Sequence, residues 1–187
     1  MLLKWLEILG DDMNSNSKWV YLNNEDNTSR YLLGIEGANP IVCFGINPST
    51  AEPNDLDPTM RKVDSIASFN GYDSWIMLNV YPRRDTIFEN LESVIKDEEH
   101  NKNISVIVDA INKYEEIDIW VAFGNHIYDR EYLIVCLKDI YEKLSGIKVR
   151  WFATGVNKCG APKHPLYQKK NSKLISFDMD SYINTLK

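Results

Sequence analysis

Cysteine is scarce in this sequence: Cys43, Cys136 and Cys159 are the only three in 187 residues, and they lie far apart. An odd, dispersed set without a CxxC pair excludes a disulfide framework and a thiolate zinc site. Cys43 falls in an apolar run and Cys136 on an apolar helix face, so both read as core. Histidine is equally sparse. His100, His126 and His164 have no two-in-one-turn spacing, and no metal site is expected. The glycine patterns GxGxxG and GxxxxGK[ST] are missing, which removes the backbone cradles for dinucleotide and P-loop phosphate binding, and no cofactor is expected. No GxSxG elbow is present, and Ser49 has no glycine neighbour to form a sharp nucleophile turn. No apolar run approaches the roughly 18 residues of a membrane helix. Lys4 and Glu7 interrupt the apolar start and no small-residue cleavage site follows, so the expected compartment is the cytoplasm.

What is present describes one globular domain. Hydrophobic residues make up 44% and charged residues 26% of a chain long enough to bury a core. The formal charge is −6, from 21 Lys and Arg against 27 Asp and Glu, a poor balance for sequence-independent nucleic-acid binding. The charge is nevertheless uneven. Between 148 and 177 there is no Asp or Glu, while Lys148, Arg150, Lys158, Lys163, Lys169, Lys170 and Lys173 all fall there. That stretch is either a solvated basic loop or a surface that faces an anion.

Leu2, Trp5, Leu6 and Leu9 recur at helical spacing, which predicts a short amphipathic helix at the start. Lys18 to Leu22 and Ser29 to Ile35, joined by the turn residues 23–27, predict a hairpin. Residues 1–28 thus read as an N-terminal extension of helix and hairpin, and 29–187 as the core. In the core, short apolar runs alternate with helical patterns. Runs at Ile41–Gly45, Trp75–Leu78, Ile117–Phe123, Val149–Phe152 and Leu174–Phe177 read as strands. One helix begins at Asp57-Pro58, a cap followed by the first helical position, and ends at Asn70-Gly71. Others carry Ile104 to Tyr114 and Leu133 to Leu144, and a short one closes the chain. This order predicts an α/β three-layer sandwich around a central, mainly parallel sheet.

Ligands of such sheets bind outside the carboxyl ends of the strands. There the sequence places Gly45-Ile46-Asn47-Pro48-Ser49-Thr50, then Asn79-Val80-Tyr81-Pro82-Arg83-Arg84, then Gly124-Asn125-His126, then Gly160 to Tyr167. Polar turn residues are ordinary at strand ends, but amides, a histidine and cations recur at four of them. Gly45-Ile46-Asn47-Pro48 resembles the first motif of the uracil-DNA glycosylase superfamily, in particular its mismatch-specific branch. His164-Pro165 resembles the second motif, and Asn79 the base-reading asparagine of the uracil-specific branch. The longer pattern of Asn47-Pro48-Ser49-Thr50, Asp57-Pro58-Thr59 and His164-Pro165-Leu166-Tyr167 resembles a family of uncharacterised bacterial and phage proteins, a domain of unknown function, from about Arg30 to Lys170.

The resemblance implies a uracil-DNA glycosylase-like fold and a nucleic acid or nucleotide as partner, with hydrolysis of an N-glycosidic bond as the sharpest reading. A non-catalytic nucleotide or nucleic-acid binding module, or an enzyme acting on a small nucleotide metabolite, are the alternatives. Such hydrolysis requires a positioned water and stabilisation of charge on the departing base. It assigns Asn47 and His164 as catalytic residues, the one holding water by its carbonyl oxygen, the other donating to a base oxygen. Substrate binding falls to Gly45, Ile46, Pro48, Ser49, Asn79, Tyr81, Arg61, Lys163, Leu166 and Tyr167. Two departures stand out. Ser49 replaces the glycine of the mismatch-specific branch, and Leu166 the serine that follows His-Pro. Asp57 reads as a helix cap, and Arg61 either binds an anion or pairs with Asp57 at i, i+4.

Overall fold

The computed structural model describes residues 6–8, 18–85 and 94–186. Among them, eight strands form one sheet: β1 (Leu6–Ile8), β2 (Trp19–Asn23), β3 (Arg30–Ile35), β4 (Pro40–Gly45), β5 (Ser74–Asn79), β6 (Ile117–Val121), β7 (Val149–Ala153) and β8 (Ile175–Ser176). Their spatial order is β1-β2-β3-β5-β4-β6-β7-β8. The central strands β5, β4, β6 and β7 run parallel, and β1, β2, β3 and β8 are antiparallel to their neighbours. The helices are α1 (Pro58–Phe69), α2 (Asp97–Ile111), α3 (Glu131–Lys143) and α4 (Met179–Thr185). No helix among the described residues is long and apolar enough to cross a membrane.

Alternation along the central strands decides which helix covers which face. Ile41, Cys43, Trp75, Met77 and Trp120 pack against Met60, Val63, Ile66 and Ala67 of α1. Val42, Phe44, Ile76, Leu78 and Ile119 point the other way, onto Val106, Ile107 and Ile111 of α2 and Ile140 of α3. Each strand is therefore apolar on both faces, the pattern of a sheet covered by helices on both sides. Burying a residue such as Ile66 contributes about 1.5–3 kcal/mol, and four such positions pin α1 to the sheet.

The chain leaves β4 toward β5 on one side and returns from α2 to β6 on the other. The carboxyl end of β4 is thus the point where the strand order reverses, where a crevice opens between the outgoing loops.

One expectation fails at the amino terminus. Leu6–Ile8 pairs antiparallel with Trp19–Tyr21 as an edge strand and is not helical; the remainder of the proposed helix, 1–5 and 9, lies outside the described residues. The hairpin expected at 18–35 is present, with a register shift at Leu22/Asn23.

Candidate functional site

A cavity of about 540 Å³ opens at the carboxyl ends of β4 and β6, on the α1 side of the sheet. That volume is in the range of small-ligand sites. Its wall draws on five loops, and each contributing residue is placed by an identifiable local constraint.

Gly45 ends β4 directly abreast of Asn79 on β5. A Cβ at Gly45 would stand 2.4 Å from Met77 Cε and 2.9 Å from Asn79 Oδ1, so a side chain here would displace Met77 and crowd Asn79. The ladder runs on past the strand, with Val80 N donating to Gly45 O and Tyr81 N to Ile46 O, both at 3.0 Å. These bonds bring Asn47 to the cavity. Its Nδ2 donates to the carbonyls of Pro48 (3.2 Å), Arg83 (3.4 Å) and Asp85 (3.0 Å). Three acceptors around one end of the amide fix its orientation, because only the NH₂ can donate to them. The Oδ1 is left as the open acceptor.

His164 precedes a short 3₁₀ turn, Pro165–Tyr167, and its Nδ1 accepts from Leu166 N at 3.3 Å. Accepting at Nδ1 leaves the proton on Nε2, which is then a free donor. Burial, reinforced by the neighbouring His126, lowers the His164 pKa to about 4 against the opposing influence of Asp57. The ring is therefore neutral at physiological pH. Gly124, at φ +69°, carries the chain past it, and a Cβ there would come within 3.1 Å of His164 Cβ. Tyr167 lies with its ring centroid 6.1 Å from that of His164 and is 82% exposed, at the rim.

Asp57 caps α1, accepting from Met60 N at 2.8 Å, and with Thr59 and Met60 brings the amino end of that helix to the wall. Asp85 supplies a second carboxylate. The opposite rim is held by Asn125, whose Oδ1 accepts from Asn157 Nδ2 at 2.7 Å and from Cys159 Sγ at 3.2 Å. Lys163 extends over Gly155 on the same wall. Deepest in charge terms is Arg30, 2% exposed yet part of the cavity wall. Its Nη1 donates to Ala51 O at 2.9 Å, and its Nε has no partner among the described residues. Desolvation, with a smaller effect from nearby Arg84, brings its pKa down to about 10, so it stays cationic.

Of the residues singled out in the sequence, Gly45, Ile46, Asn47, Ser49, Lys163, His164, Leu166 and Tyr167 meet at this cavity. Pro48 is buried beneath the loop. Tyr81 lies on the other face of the sheet, edge-on to Tyr132 with centroids 5.1 Å apart and its hydroxyl accepting from Lys96 N. Arg61 is exposed and donates to Leu56 O, making no ion pair with Asp57. Asn79 is fully buried behind Gly45, with both amide atoms unpartnered among the described residues. It does not line the cavity itself; its Oδ1 stands behind Gly45. Missed from the sequence as site residues were Arg30, Asp85, Asn157 and Gln168, which come from segments without a motif, and Thr59, which stands in the Asp57-Pro58-Thr59 motif but receives no site role from it. No group of three or more His, Cys, Asp or Glu among the described residues could hold a metal ion.

No curated protein and no solved structure matches the chain. One protein-family model does match it, over residues 30–166, and so spans the cavity from Arg30 to Leu166. The chain belongs to the family described as protein of unknown function (DUF1643).

Proposed function

We propose that the cavity binds a nucleobase-containing ligand and hydrolyses its N-glycosidic bond, on a fold of the uracil-DNA glycosylase type. The observation that carries this reading is the pairing, in one cavity, of an amide whose open end is a carbonyl with a neutral histidine whose open end is an N–H. The first accepts from a water; the second donates to a base carbonyl oxygen.

Water, held by Asn47 Oδ1, adds its oxygen to the sugar C1′ while the C1′–N bond breaks and its electron pair passes to the base. Negative charge then gathers on the base carbonyl, where His164 Nε2–H meets it. A neutral imidazole serves better here than a charged one, because its proton affinity is closer to that of the departing base. An amide is a poor base, so the proton of the water goes to a carboxylate. Asp85, which lines the cavity and whose backbone carbonyl receives the Asn47 amide, is the carboxylate assigned to this role. The carboxylate returns its proton to solvent and the base takes one up. Tyr167 and Leu166 stand at the mouth as apolar surfaces for the sugar or a neighbouring base.

The test is release of free base, followed chromatographically, from oligonucleotides carrying uracil, hypoxanthine or mismatched bases, from nucleosides and from nucleotides. Alkali-labile strand breaks identify a polymer substrate; base release from monomers alone identifies a metabolite enzyme. Ligand-dependent thermal stabilisation without base release from any of them identifies a binding module and refutes the hydrolytic reading.

A further inference from the structure

A buried guanidinium ordinarily stands against a carboxylate, because a charge removed from water is stable only when paired. Arg30 does not. Its side chain is 2% exposed, and among the described residues its Nη1 meets only the Ala51 carbonyl and its Nε has no partner. No carboxylate among the described residues comes within ion-pair distance of it. Asp57 and Glu52 favour its charge only from a distance. The neighbouring Arg84 is a like charge, itself engaged with Ser49 O, the Tyr21 hydroxyl and Glu52. A cation is thus held inside the protein, next to another cation, with part of its surface on the cavity wall. This placement disfavours the empty protein and favours an anion that enters. Lys163, which has no ion-pair partner among the described residues, lies on the same wall.

We infer that Arg30 receives the phosphate of a free nucleoside monophosphate, with Lys163 as the second cation. This rests on the nucleobase reading above and narrows it: the ligand is a monophosphate rather than a nucleoside or a polymer. A terminal phosphate presents unsubstituted oxygens that the planar N–H fork of arginine matches in pairs. An internal phosphodiester carries a nucleotide on either side and stays at the rim, out of reach of a side chain so deeply buried. Asp57 and Asp85 on the same wall repel an anion, and Asp57 has one oxygen committed to Met60 N, so the phosphate is confined to the cations.

The experiment is calorimetric titration of the full chain with inorganic phosphate, with 3′- and 5′-nucleoside monophosphates, with the matching nucleosides and with a short oligonucleotide. It is repeated on Arg30→Lys and Arg30→Met. At least one monophosphate should bind about tenfold or more tighter than its nucleoside, the scale of one charge-assisted hydrogen-bonded contact. That advantage should shrink in Arg30→Lys and vanish in Arg30→Met. If Arg30→Met does not fold, the wild-type comparison and Arg30→Lys decide. A nucleoside that binds as tightly as its monophosphate, or an oligonucleotide that binds more tightly than either, overturns the inference and leaves the nucleobase reading standing. So does a monophosphate advantage unchanged in both variants. If phosphate binds but no nucleoside, nucleotide or oligonucleotide does, the nucleobase reading itself has failed, and the monophosphate assignment with it.

Discussion

His164 is uncharged because its surroundings exclude water and place a second imidazole nearby, and this leaves a mark on stability. In the unfolded chain its pKa is near 6.5, and in the folded protein about 4. Above 6.5 both states are neutral and the group makes no difference. Between 6.5 and 4 the unfolded chain takes up a proton that the folded protein refuses, so stability falls as pH falls through that window. By the equivalence of about 1.4 kcal/mol per pKa unit, the loss is on the order of 3 kcal/mol. His164→Ala should therefore show a shallower loss of unfolding free energy between pH 6.5 and 4, measured by urea denaturation; parallel pH curves would contradict the assignment. Asn79 offers the complementary case. A buried amide with no partner costs about 1–3 kcal/mol, so Asn79→Leu should raise the melting temperature. If the amide meets the ligand across Gly45, the same variant should lose ligand binding. Higher stability with unchanged ligand affinity would make Asn79 a bystander. Motif residues such as Asn47 and His164 were legible because they stand at strand ends. Arg30 was not: a lone arginine opening a hairpin strand looks like any surface cation, and its burial is set by the loop 49–51, which folds over it.

Among elements, α1 matters most, because its amino end forms part of the cavity wall. Asp57→Ala removes the bond to Met60 N and should destabilise the protein by about 0.5–2 kcal/mol, whereas Asp57→Asn, which keeps an acceptor, should cost much less. Equal losses for both in thermal unfolding would show that the charge of Asp57, not its cap, stabilises the fold. This helix was readable to its last residue from Asp57-Pro58 and Asn70-Gly71, since caps and positive-φ glycine are local chemistry. So were the buried strands, whose apolar runs admit little else. α2 starts at Asp97, seven residues before the apolar pattern begins, because its first two turns bury His100 and Asn103 instead of aliphatic residues. The helical spacing at Leu2 to Leu9 misled for a different reason. Nine residues are too few to hold a helix alone, and the unpaired edge of β2 offers Leu6–Ile8 a full set of backbone hydrogen bonds.

At the scale of the molecule, a formal charge of −6 coexists with a cavity whose wall holds the buried Arg30 and, from the basic stretch, Lys163. Repulsion at long range, with Arg30 and Lys163 reachable only inside one crevice, suits a small anionic ligand better than a polymer that must lie across the surface. The reversal of strand order between β5 and β6 creates that crevice, and it was readable only as a class of topology; which loops meet there depends on the order of strands in space. Hydrolysis in this cavity is tested by the rate of base release in a single turnover, compared with ligand affinity, for wild type and His164→Ala. Wild type should release base from one member of the nucleotide panel. His164→Ala should bind it within a few-fold of wild type yet release base about 10²–10³ times more slowly, as expected for loss of one donor to a developing anion. No release by wild type from any member, or equal rates in the two proteins, would contradict it.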